Sequence, residues 1–381
     1  MIANPLGAKG IAAEAAIAKL CLEGLPALEL FERAAAPFRR AVPYSAGCWK
    51  PVDPRTLLWT GFGIEDGGSG DLAAARWRFI DNELLDADFG KYGDLARRRI
   101  PVTTLHRETH GEPDRSSRYR VIHRSLGFGA ELRAVFRDAD ACWGSVAIVR
   151  GENQPDFTDQ EVEFVARVGA HLAYGLRDAL VREETSAGRF NAAPGVIVLG
   201  KDGSVRSLTD QARFWLEQFP HDRGGGGLEL PAAVHAVANR VLGYGRPGHA
   251  LEASARVRLT SGAWLTVHGA GLGEDHGQEP ETAAITLAPS TVAELEPIRL
   301  ALYGLTPRER EVAQLLTRGA TNDEIARKLW ISRHTVKDHV KAVYAKLEVG
   351  GRAELSAKLF HQHIGPWLDT QRIREFSAVG N

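Results

Sequence analysis

In the stretch TNDEIARKLWISRHTVKDHV, residues 321–340, cationic and hydrogen-bonding side chains recur at helical spacing. At 100° per residue, Val336, Val340, Val343 and Leu347 fall on one side of a helix. His334, Asp338, Lys341 and Ala345 fall on the other, flanked by Arg333 and Lys337. Long cationic donors on an exposed face can reach phosphate oxygens and guanine edges, and a small residue lets the helix lie close in a major groove. The same stripe also describes a solvated amphipathic helix, so the face alone leaves both readings open.

Other side chains with chemical potential are less telling. His106 and His110 stand four apart, but HRETH is not HExxH, and HRETHGEPDRSSRY (106–119) has no clean periodicity; it reads as loop or irregular helix, not a zinc site. His361 and His363 sit near a fraying end. Cys21, Cys48 and Cys142 cannot all pair and show no CxxC spacing, which fits a reducing compartment. Cys48 and Cys142 read as buried apolar residues of strands, and Trp49, Trp59 and Trp143 as core residues able to line a pocket. No nucleophile–base pair, carboxylate dyad or GxxxxGK[ST] loop is identifiable. The expectation is a protein that is not an enzyme, with no metal site and no cofactor that the sequence identifies.

The elements around residues 321–340 are clearly punctuated. LTPRE (305–309) puts Thr306 at an N-cap, Pro307 at the first helical position and Glu309 three residues after the cap, which is a capping box. Val312, Leu315 and Leu316 form the buried face of that helix and Gly319 ends it. Thr321 and Glu324 repeat the device, with Ile325, Ala326 and Leu329 inward. A turn through Trp330 and Ile331 leads to a third N-cap, Ser332. Two short helices joined by a tight turn make a helix-turn-helix.

The formal net charge of the 381 residues is −1, but residues 299–365 carry +5 and residues 1–298 carry −6. A basic end on an acidic body points to an anionic partner at that end. Apolar runs fall short of a membrane span, and Met1–Gly10 lacks the basic-then-apolar layout of a signal peptide; a cytoplasmic protein with no membrane partner is expected.

The continuous stretch from about Leu305 to Phe360, with LTxREREV, NxEIAxxL, IS, TVKxHV and KLxVxxR, resembles the C-terminal DNA-binding domain of the LuxR family of bacterial transcriptional regulators. The resemblance implies a four-helix domain, here residues 298–363, that binds double-stranded DNA as a homodimer. Its third helix reads the groove and its fourth, about residues 351–360, makes the dimer contact. It implies contacts to bases or backbone from Lys337, Asp338 and Lys341 and to phosphate from Thr335; with Arg333 and His334 of the exposed face these make the expected DNA-contacting set, and RNA polymerase is a further expected partner. One common family form has a small apolar residue where this chain has Asp338, whose carboxylate repels phosphate but can accept from a cytosine amine.

The body reads as α+β. Residues 11–40 form one or two helices, then YSAGCWKPVDP (44–54) and TLLWTGF (56–62) a hairpin, ARWRFIDNELL a helix, and AELRAVFRD (130–138) and CWGSVAIVR (142–150) two strands. Thr158 and Glu161 box the start of a long helix whose apolar stripe serves packing or pairing across a dimer. GVIVLG (195–200) and SVRSL (204–208) pair around KDG; Thr209 caps a short helix; PAAVHAVANRVLG is a further helix after GGGG (224–227). RVRLTSGAWLTVHG (256–269) is a hairpin and TAAITLA (282–288) the last strand. Strands then helices then strands is not the alternation of a doubly wound sheet. Residues 20–183 resemble a GAF domain and residues 190–290 a PAS-type unit, which implies a small-molecule effector and a regulator whose sensor domains control the helix-turn-helix. The alternative is a ligand-sensing regulator that works mainly through protein–protein contacts with residual DNA affinity.

Overall fold

The computed structural model describes residues 4–65, 71–138, 141–184, 193–220, 230–243, 252–272, 282–291, 294–295 and 303–361. GGGG (224–227), His363 and most of the EDGGSGD segment lie outside these residues. The chain divides into two compact units, Met1–Ser290 and Thr291–Asn381. No helix among the described residues is long and apolar enough to cross a membrane.

The first unit opens with helices α1 (Gly7–Cys21) and α2 (Ala27–Ala41), then strands β1 (Ala46–Pro51) and β2 (Gly63–Glu65). Helix α3 (Asp71–Leu85), the short α4 (Tyr92–Leu95), β3 (Val102–Thr104) and the short α5 (Leu105–Glu108) follow. Next come β4 (Phe128–Asp138), β5 (Ala141–Gly151) and the long α6 (Asp159–Glu184). The five strands form an antiparallel sheet ordered β2-β1-β5-β4-β3. Strand periodicity sends Trp49, Leu132, Phe136, Val146 and Ile148 to one face, where all are buried. α2 and α6 cover that face, Phe38 meeting the Trp49 ring edge-on at 5.0 Å.

The capping box of α6 is present: Thr158 N donates to Glu161 Oε2 at 2.8 Å and Glu161 N to Thr158 Oγ1 at 3.2 Å. Its stripe of Val162, Val165, Val168, Leu172, Leu176 and Ala179 is buried within this unit, against the sheet and α1 and α2. Of the two uses open to that stripe, packing has taken it. A Cβ on Gly175 would stand 2.8 Å from Cys21 Cβ, so only glycine lets α1 approach this closely.

The expected hairpin of residues 44–54 with 56–62 is displaced. The partner of β1 is β2, which begins at Gly63, and residues 53–62 touch the ladder only through an isolated Val52–Trp59 bridge. The intervening segment leaves the sheet because it serves a second core: Leu58 is buried among the side chains of the following sheet. Asp53 Oδ2 accepts from Arg256 N (2.8 Å) and its guanidinium (3.0 Å), and the Thr56 carbonyl accepts from Arg240 at 3.0 Å.

That second sheet holds β6 (Gly195–Gly200), β7 (Val205–Leu208), β8 (Ser254–Arg258), β9 (Trp264–Leu272) and β10 (Thr282–Pro289), with α7 (Asp210–Leu216) and α8 (Ala232–Leu242). Its order, β7-β6-β10-β9-β8, repeats that of the first sheet although the sequence has no internal repeat. Thr209 caps α7 by accepting from Ala212 N. α8, buried along its whole length, lies on β8, β9 and β10. The two sheets are joined by α3, whose Asp81 accepts from Asn239 at 2.5 Å and faces His235 of α8 at 3.2 Å.

The second unit contains α9 (Pro307–Thr317), α10 (Asn322–Leu329), α11 (Arg333–Lys346) and α12 (Arg352–His361) around its own core of Leu305, Val312, Leu316, Ile325, Val336 and Leu347, with others.

Candidate nucleic-acid interface

Three hydroxyl caps fix the three helix starts. Thr306 accepts from Glu309 N while Glu309 Oε2 accepts from Thr306 N at 2.8 Å. Thr321 and Glu324 make the same reciprocal pair, with the return bond at 2.7 Å. Ser332 accepts from Thr335 N at 3.0 Å. Each such cap is worth about 1 kcal/mol. Between α10 and α11 the chain turns at Trp330, which holds φ 54° and ψ 44° with its side chain 93% exposed. A left-handed tryptophan costs roughly 1–2 kcal/mol relative to glycine, and no packing of the indole offsets it. Ile331 N then donates to the Ala326 carbonyl at 3.1 Å, closing the turn.

α11 carries its core on Val336, Val343 and Leu347, all at 0% exposure, with Val340 half-buried at the edge of the same core. The opposite face is open: Arg333, His334, Lys337, Asp338, Lys341 and Ala345 are exposed, and Thr335 is half-buried with its hydroxyl 2.8 Å from Ser332 Oγ. The structure thus brings the six expected side chains onto the first two and a half turns of one helix. Two of them have acidic neighbours: Arg333 Nε lies 3.2 Å from Asp323 of α10, and His334 Nε2 lies 3.8 Å from Asp338. Both pairs are largely exposed, where such contacts add little stability and open readily to an incoming anion. Lys337 and Lys341 have no carboxylate within ion-pair distance among the described residues.

Three cations that sequence reasoning left aside hold this face in position. Lys346, at the end of α11, donates to Glu309 Oε2 at 2.6 Å and to the Gly304 carbonyl at 3.0 Å, tying α11 to the start of α9. Burial disfavours the Glu309 charge, but the bonds from Lys346 and Thr306 outweigh it and hold its carboxyl below the ordinary value. Arg352 donates to the Leu316 and Ala320 carbonyls at 2.7 and 3.0 Å, satisfying the open end of α9. Arg308 bonds the Leu329 carbonyl at the end of α10. The signal for Arg352 was its place in KLxVxxR; nothing in helical periodicity points to a carbonyl clamp. The lone histidines stay unremarkable: His106 faces Asp156 at 3.7 Å, and His110 is exposed beyond the end of α5. Burial pushes the Cys21 and Cys142 thiols up to about 12, so neither is a thiolate at neutral pH.

Capped helices, a tight turn and an exposed basic face on the second helix of the pair define a helix-turn-helix domain. Comparison with known proteins agrees in place and kind. Residues 304–358 match the family described as bacterial regulatory proteins, luxR family. The chain is 52% identical over 189 residues to the "probable transcriptional regulatory protein SgaR" of Hyphomicrobium methylovorum, covering 47% of this chain and 82% of that one. It is 32% identical over 168 residues to an HTH-type transcriptional regulator of Aeromonas salmonicida, 43% of this chain and 81% of its relative. An HTH-type regulator of Mycobacterium bovis matches at 28% over 211 residues, and the chain spans only 20% of that much longer protein. The chain belongs to the luxR family of bacterial regulatory proteins.

Proposed function

We propose that the protein is a sequence-specific, DNA-binding transcriptional regulator that lays α11 in the major groove. The observation that carries this reading is the division of α11 into a buried apolar side and an exposed side bearing Arg333, Lys337 and Lys341. Lys337 and Lys341 are free to bond base edges, Thr335 and the first turn of α11 approach phosphate, and Arg333 and His334 flank the groove. Asp338 accepts from a cytosine amine, which makes it a discriminator at one base pair. α12 supplies the homodimer contact, so the operator is an inverted repeat with half-sites about one helical turn apart. The acidic body and basic reader act as a cytoplasmic switch without catalysis of its own, addressing RNA polymerase from the bound operator.

The first unit is read as a GAF-like domain over residues 20–183 followed by a PAS-like domain over 190–290, controlling the reader at 298–363 in response to a small molecule. Support comes from the strand order that both sheets share and from the helices closing one face of each. Binding of the full chain to its operator, measured across salt concentrations, tests the reading. Lys337→Ala or Lys341→Ala should weaken binding by about 1–3 kcal/mol where the side chain reads a base, and should act equally on all sequences with a smaller salt slope where it meets only phosphate. Affinity unchanged in both variants removes α11 as the reading face. Binding that ignores salt returns the protein to the protein–protein alternative.

A further inference from the structure

The face of the first sheet turned away from α6 has an unusual composition. Strand alternation and register place Ala46, Cys48 and Lys50 of β1 beside Val149, Ala147 and Ser145 of β5, and these beside Glu131, Arg133 and Val135 of β4. The centre of that face is floored by Ala46, Cys48 and Ala147, whose short side chains leave room above them. An open-mouthed pocket lies there, whose empty space together with the mouth is about 460 Å³. Trp59, Phe62 and Phe79 wall it with rings.

Its polar lining is charged, and the charges do not all pair within the protein. Glu131 and Arg133 are 1% and 3% exposed. Arg133 bonds Glu83 at 2.8 Å and the Gly90 carbonyl at 3.0 Å through one guanidinium nitrogen, and pairs in charge with Glu131 through Nε. Arg118 donates twice to Glu131 Oε2, at 2.8 and 3.0 Å, but Glu131 Oε1 accepts no hydrogen bond, although Arg133 Nε and His123 Nε2 stand 3.2 and 3.6 Å away. Lys50 is 4% exposed and donates to the Tyr92 hydroxyl at 2.9 Å and, at 3.3 Å, to the Cys48 carbonyl. The Trp59 and Tyr92 rings lie beside it, the Arg133 charge is close enough to repel it, and no carboxylate pairs with it among the described residues. A buried ammonium with three donors and no anion is costly, as is a buried carboxylate oxygen without a donor. A π-helical turn at Tyr119–His123, a rare conformation that is frequent at functional sites, stands beside the same cluster.

We propose that this pocket binds a small organic acid: its carboxylate against the Lys50 ammonium, its apolar or aromatic body between Trp59, Phe62 and Phe79, and a hydroxyl or N–H near the carboxylate donating to Glu131 Oε1. The missing anion and the missing donor are then supplied by one molecule. The occupant also abuts α3, whose Arg76 and Phe79 line the pocket while its Trp77 and Asp81 touch His235 of α8, 4.5 Å between ring centroids for Trp77. Binding is therefore felt at the helix that joins the two sheets. This inference rests on reading the first unit as a sensor.

The test uses the full chain and three 2-hydroxy acids of increasing bulk, lactate, 2-hydroxyisovalerate and mandelate, each beside its neutral amide, with phenylacetate as the acid lacking a hydroxyl. Calorimetry and tryptophan fluorescence read binding; operator affinity is measured on the same preparations. At least one hydroxy acid is expected to bind tenfold or more tightly than its amide, and mandelate more tightly than phenylacetate. Lys50→Met should erase the preference for acid over amide, Lys50→Arg should keep part of it, and Ala147→Leu should abolish binding of acid and amide alike by filling the floor. The melting temperature of Lys50→Met should be unchanged or higher, since a desolvated, unpaired charge is removed. Failure of every acid to bind, equal affinity for acid and amide, or an unaltered preference in Lys50→Met overturns the site. Acid binding that leaves operator affinity unchanged supports the site while removing its control over DNA; intact operator binding without acid binding removes the site alone.

Discussion

The two sheets of the first unit are built on one strand order and use their faces differently. In the second sheet, α8 presses directly on the strands: a Cβ on Gly269 of β9 would lie 2.6 Å from Val241 and 2.8 Å from Val237. The covered side chains there, Ile197, Ala255, Val257, Leu265, Val267 and Ile285, are all apolar and at most 1% exposed. In the first sheet the corresponding space above β1, β5 and β4 is left open over small residues and ringed by Lys50, Glu131 and Arg133. One topology thus gives a closed apolar core in one copy and a charged cavity in the other. Side-chain volume at the sheet centre decides which, since a helix can close down only where the strands and the helix together leave no charge to strand.

The largest effect that would break this contrast is expected at Arg118. Its guanidinium holds Glu131 and also bonds Asn82 at 3.1 Å, all out of water. Arg118→Ala should cost about 3–5 kcal/mol in denaturant unfolding, because it strips the buried Glu131 carboxylate of both its hydrogen bonds and leaves only the Arg133 ion pair. A loss under 1 kcal/mol would mean the cluster is far wetter than its burial implies.

Acid should act on the same sheet first. His123 is held neutral, its pKa lowered to about 4 by burial and by the Arg118 and Arg133 charges. The unfolded chain therefore binds this proton between pH 6.5 and 4 and the folded chain does not, so stability falls as pH drops through that window, by up to about 3 kcal/mol. Burial works against the Glu131 charge, but Arg118 and Arg133 hold its pKa at about 2, so its contribution, full above the ordinary carboxylate pKa, is lost as pH falls toward that value. Hydrogen exchange at pH 5 and pH 7 should show β4 and the 119–123 turn losing protection before β8 and β9 do. Equal losses in both sheets would contradict the contrast.

A volume test is smaller but sharper. Gly269→Ala should cost about 1–3 kcal/mol by forcing α8 off β9, whereas Ala147→Leu, with three more heavy atoms, should cost less because they enter the pocket. Thermal melts of the two variants, compared with wild type, read the difference. The reverse order would mean the first sheet's cavity is already closed.

How much of this could be read in the sequence depended on the element. In the second unit, Thr306, Thr321 and Ser332 announced the helix starts, and the valines of α11 fixed which side was exposed, because caps and a 3.6-residue period are local signals. The long α6 was equally legible, but its stripe did not reveal whether a sister helix or its own sheet would cover it. Of the pocket, only Trp59 was legible as a lining residue; its charged lining was not. Glu131 and Arg133 alternate with Leu132 and Ala134 in AELRAVF, a pattern that ordinarily marks a solvated sheet face. Only the register that sets them beside Cys48, Lys50 and Ala147 shows the face to be enclosed. The displaced partner of β1 failed for a similar reason: the aromatic run at 56–62 looks like a strand, and the core that claims Leu58 lies about two hundred residues downstream. Arg352 and Lys346 read as surface charge, and their bonds to distant carbonyls emerge only in three dimensions.

The measurement that bears most directly on the central claim is selection of bound duplexes from a random DNA pool by the full chain and, in parallel, by Lys337→Ala,Lys341→Ala in the same chain. The account predicts enrichment of a single inverted repeat by the wild-type protein, salt-dependent in affinity, and loss of that enrichment in the double variant. No enriched sequence with the wild type, in the presence or absence of the hydroxy acids, or the same repeat enriched by the double variant, would contradict it.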